Sequence, residues 1–120
     1  MMELKQNGKM LYGIVVNGIV YRDFSVKLLT IGGQCLAVEQ LAEIGLNIDE
    51  KSSTADVMLN NLVYLSQQLE IEGVASDKIT GQFLQENLTA DDYLIITETL
   101  EILKKKRLDV MQSDNAAENV

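Results

Sequence analysis

Polar and apolar positions alternate from Asp23 to Leu28. Carrying the two-residue period of a β-strand back to residue 20 places Val20, Arg22, Phe24, Val26 and Leu28 on one face, with Arg22 its odd member. Just upstream, Met10 to Val16 is a short apolar run, and Asn17-Gly18 joins the two segments. An Asn-Gly pair between β-favouring residues is the strongest short-range hairpin signal, because a type I′ turn needs positive φ at both central positions. The pattern predicts a β-hairpin over residues 10–16 and 19–28, with residues 1–9 polar and loosely held. Arg22 is expected near the exposed end of its strand. Two strands alone are marginal in water, so the ribbon requires a helix beneath it or a further strand beside it.

After residue 28 the apolar spacing becomes helical. Thr30 is placed to cap a helix running to about Ile44, whose apolar face is Leu36, Leu41 and Ile44 with Ala37 and Val38 beside them. Gly45 follows as a stop signal. Ser53 with Asp56 three residues on resembles a capping box. It opens a stripe of Met58, Leu62, Leu65 and Leu69 that predicts a helix ending by Gly73. A short helix is expected over residues 79–86, with Thr80 or Asp77 at its start. Thr89 and Asp92 then introduce a last helix striped by Tyr93, Ile96, Leu100 and Leu103. Residues 109–120 are polar and aperiodic, the pattern of a disordered tail. The expectation is one small α+β domain over residues 1–108, an N-terminal β-hairpin followed by three to four α-helices.

Composition narrows the chemistry. A formal charge of −8 disfavours general nucleic-acid binding, which needs a basic surface. The single cysteine, Cys35, excludes an internal disulfide and fits a reducing, cytoplasmic setting. No apolar run is long enough for a signal peptide or membrane span. The absence of histidine removes the usual general base and the commonest zinc ligand. Cys35 is therefore expected to be a small packed residue. Asp91 and Asp92, at a helix start, are accounted for by the helix dipole and its free N–H groups. Lys104-Lys105-Lys106-Arg107 is read as four cations in the last turns of a helix, with Glu101 one turn earlier. Gly32-Gly33 lacks the flanking pattern of a phosphate loop. No catalytic, cofactor-binding or metal-binding set is assembled, and no enzyme is expected.

Three strings carry a resemblance: Val16-Asn17-Gly18-Ile19-Val20-Tyr21-Arg22-Asp23-Phe24, Leu29-Thr30-Ile31-Gly32-Gly33 with Val38-Glu39, and Leu88-Thr89-Ala90-Asp91-Asp92-Tyr93. Their order resembles the tail assembly chaperones of Mu-like and P2-like myophages, over about residues 14–108. Leu29 stands where that family commonly has proline, and Gly33 where it commonly has an acid. The resemblance implies a non-enzymatic cytoplasmic protein that binds the helical tape-measure protein and keeps it soluble until the tail tube polymerises. Met58, Leu62, Leu65, Tyr93 and Ile96 are the expected partner-binding residues, since an amphipathic groove can receive a partner helix. Strand addition along the hairpin edge, or helix contacts, would give a homo-oligomer. The competing classes are a small acidic adaptor or regulatory protein and a structural tail component.

Overall fold

The computed structural model describes residues 5–118, with side chains described through Asp109. Its elements are β1 (Lys5–Val16), β2 (Ile19–Lys27), α1 (Ile31–Glu43), α2 (Thr54–Ser66), β3 (Leu69–Ile71), α3 (Gly81–Asn87) and α4 (Ala90–Glu118), with a 3₁₀ turn at Ser76–Lys78. The strands form one antiparallel sheet in the order β1-β2-β3. Helices cover its inner face, giving an α+β fold in which α4 lies along β1 and β2, while α2 packs between α1 and α3.

The hairpin turns where expected, with Asn17 at φ 53° and Gly18 at φ 78°. Its strands depart from simple alternation at one place. Lys9 pairs with Asp23 and the next pair is Ile14 with Tyr21, so four β1 residues, 10 to 13, face the single residue Arg22. The excess of three is odd, and an odd offset exchanges the two faces of a paired strand. Phe24 and Val26 point into the core below this bulge. Above it the inward role passes to Tyr21, leaving Val20 and Arg22 exposed. The expectation that Val20 shares a face with Phe24 therefore fails beyond the bulge. Arg22 is tied back by its Nε, which donates to the Met10 carbonyl at 3.0 Å.

Four caps form from the hydroxyls expected at helix starts. Thr30, Ser53, Thr80 and Thr89 accept from the backbone N–H of Gly33, Asp56, Phe83 and Asp92. Helix α2 stops earlier than its stripe predicts. Gln67 and Gln68 turn the chain, and Leu69-Glu70-Ile71 becomes β3, with both apolar residues buried and Glu70 outward. That third strand is what the marginal hairpin needed. Conversely, β1 begins at Lys5, inside the segment expected to be loose. Helix α4 runs on through Glu118, over most of the stretch expected as a tail; residues 119–120 lie outside those described. The Lys104–Arg107 run consequently sits mid-helix rather than in the last turns.

The core comprises Met10, Ile14, Phe24, Val26, Leu62, Leu65, Leu69, Ile71, Ile79, Leu84, Ile96, Leu100 and Leu103. Helix α1 contributes little to it. Only Ala37 is buried, Leu36 and Val38 are at least half exposed, and Cys35 is exposed rather than packed. The helix rests on α2 alone among its main contacts, so its apolar residues outnumber the surface available to bury them.

Candidate functional site

Two features stand out, a buried carboxylate in the bulge and an apolar groove among the helices. Asp92 is fully buried in the first turn of α4. Its backbone N–H takes the Thr89 cap, while its carboxylate leaves the helix and enters the β1 bulge. Oδ1 accepts from Leu11 N at 2.6 Å, Oδ2 from Gly13 N at 2.9 Å, and Tyr12 N approaches both oxygens at 3.3 Å. Three consecutive N–H groups thus form a nest for one anion. Gly13 makes this possible at φ 86°, where a Cβ would lie 2.6 Å from the Tyr21 carbonyl oxygen. Helix-start electrostatics alone therefore do not explain Asp92; it is a tertiary staple between α4 and the hairpin.

The stapled bulge sends Leu11 and Tyr12 into solvent at 53% and 57% exposure. Val15 and Val20, paired across the ladder, and Ile19 beside them are also more than half exposed. Together they make an apolar tip on the hairpin. The same staple occupies the amides of Leu11, Tyr12 and Gly13, and Lys5 and Lys9 put charge on the part of the β1 edge that precedes the bulge. Both are devices that discourage strand addition.

The groove has a volume of about 210 Å³ and lies between α2, α3 and the start of α4. Met58, Leu62, Leu84, Leu88 and Tyr93 give it an apolar lining, with Gln85, Thr89 and Ala90 at its border. Met58, Leu62 and Tyr93 are thereby brought together, as partner-binding residues would require. Met58 is 37% exposed and Tyr93 half-buried, whereas Leu62 forms the floor. Leu65 and Ile96 do not join them. Leu62, Leu65 and Ile96 are all buried in the core, but only Leu62 of the three also lines the groove. Leu84 and Leu88 complete the groove, and their spacing of four was the signal available for them.

A second, more polar depression of about 470 Å³ crosses the outer face of the sheet, bordered by Asn7, Asp23, Ser25, Glu70 and Glu72. Among the described residues no group of three His, Cys, Asp or Glu side chains is placed to hold a metal ion. Nor is any described helix long and apolar enough to cross a membrane. Comparison with protein-family models, curated proteins and solved structures finds no match to this chain.

Proposed function

We propose that this protein acts by binding a helical protein partner, as a phage tail assembly chaperone that holds the tape-measure protein soluble until the tail tube polymerises around it. The observation that carries this reading is the open apolar groove lined by Met58, Leu62 and Tyr93. A partner helix can set apolar side chains into such a groove, and a flexible methionine at its mouth accommodates varied sequences. Further support comes from the Leu88–Tyr93 string of the resemblance. Four of its residues, Leu88, Thr89, Ala90 and Tyr93, line the groove, and a fifth, Asp92, fixes the start of α4. The acidic charge keeps the complex soluble while apolar surface is covered.

Co-expression tests the proposal. The chain is produced with the longest helical protein encoded beside it, and that protein's solubility is followed. The reading requires that the partner stay soluble only in the presence of the chain, and that the two co-purify. Aggregation regardless of the chain, with nothing co-purifying, overturns it.

A further inference from the structure

The groove and the far half of α4 are complementary surfaces on one molecule. The groove is walled by α2, α3 and the first turns of α4, none of which carries Lys or Arg. From Ser52 to Leu103 the chain has nine Asp and Glu residues against the single Lys78. Exposed Glu86 and Asp91 stand beside the groove residues Gln85 and Ala90. Further along α4 the character reverses. Ile102 and Leu108 are 50% and 58% exposed, and between them lie Lys104, Lys105, Lys106 and Arg107. At spacings of three, Ile102, Lys105 and Leu108 form a single ridge on the helix surface. Lys104 pairs with Glu101 within the helix at 3.3 Å, while Lys106 donates to Gln6 of β1 at 2.8 Å and ties this part of α4 to the start of the sheet.

The ridge cannot serve its own groove. Tyr93 and Leu108 are carried by one continuous helix, and at 1.5 Å rise per residue they stand roughly 22 Å apart. We propose that the Ile102–Leu108 ridge of one copy docks into the Met58–Tyr93 groove of a second copy, associating the chains head to tail. The volume suits this occupant. About 210 Å³ is below the range of roughly 300–1,000 Å³ typical of small-molecule pockets, and fits anchor side chains such as Leu108. Lys105 and Arg107 then face the side of the molecule that carries the exposed Glu86 and Asp91, next in sequence to the groove residues Gln85 and Ala90. The contact is heterologous, so each added copy leaves one groove and one ridge free. It goes beyond the chaperone reading and does not depend on the identity of any outside partner. A partner helix would, however, have to displace the neighbouring copy.

Sedimentation velocity of the full chain, run over a series of concentrations, tests the contact. The expected result is mass that grows with concentration, and association that weakens roughly tenfold or more between about 0.05 M and 0.5 M ionic strength. Met58→Glu blocks the groove and Leu108→Glu blocks the ridge, both at exposed positions where the fold tolerates change. Each variant alone should be monomeric. Mixed, they should form a 1:1 dimer and nothing larger, because one intact groove meets one intact ridge. A wild-type chain that stays monomeric at every concentration and ionic strength overturns the proposal. A mixture that stays monomeric while the wild type associates also overturns it, placing the interface elsewhere.

Discussion

Asp92→Ala is the substitution with the most to say about this fold. The carboxylate is fully buried and receives two short bonds, from Leu11 and Gly13, and a shared one from Tyr12. Each donor left buried without an acceptor costs about 1–3 kcal/mol. Gly13 is buried and has no alternative, whereas Leu11 and Tyr12 lie at exposed positions where water can replace part of the loss. The expected total is about 3–4 kcal/mol, a large part of the roughly 5–15 kcal/mol that stabilises an ordinary domain. Asp92→Asn keeps the shape but turns an amide group toward backbone donors, so it should cost about half as much. Urea unfolding followed by circular dichroism gives the free energies. Amide hydrogen exchange locates the damage, which should appear at Leu11, Tyr12 and Gly13 before the rest of the sheet. Exposed Asp91→Ala is the control and should cost under about 1 kcal/mol, its share of the helix dipole. A loss under about 1 kcal/mol for Asp92→Ala, equal to the control, would refute the staple.

Other substitutions test neighbouring parts of the argument. Gly13→Ala should lower stability by about 2 kcal/mol or more, since it combines a φ of 86° with a contact of 2.6 Å to the Tyr21 carbonyl; thermal unfolding reports it. Gly81→Ala should do similar harm by another route, because its Cβ would meet the Val63 side chain at 2.5 Å and the Val63 backbone at 2.8 Å, forcing α3 from α2. Cys35 is exposed on α1, so a thiol reagent should label it in the folded protein as fast as in urea; slow labelling would show that α1 is covered. Leu65→Ala should destabilise by about 2–5 kcal/mol, whereas Met58→Ala should cost much less stability yet weaken partner capture.

The elements set by local chemistry were legible in the sequence. Asn17-Gly18 specified its turn, and Thr30, Ser53 and Thr89 marked helix starts because capping needs only a hydroxyl and the next few residues. What escaped depends on distant partners. Leu69 continues the stripe of α2 by spacing, but a place beside β2 claims it for β3. The bulge had one local sign, a glycine inside a strand pattern at Gly13, and its cause lies 79 residues away at Asp92. Asp92 itself looked like an ordinary first-turn acid, which satisfies the same local rule. For the groove, Met58, Leu62 and Tyr93 were found as apolar stripe members, yet periodicity could not separate them from Leu65 and Ile96. That distinction depends on how α2, α3 and α4 pack around the groove. Helix α1 shows the converse, an apolar pattern that implies burial the fold does not supply.

The groove is the central claim, and nuclear magnetic resonance during titration with peptides spanning the helical partner tests it most directly. The account predicts that one such peptide shifts the methyl and ring signals of Met58, Leu62, Leu84, Leu88 and Tyr93 together, while the hairpin tip at Val15 and Val20 stays unmoved. Shifts confined to the tip, or none with any peptide, would contradict it.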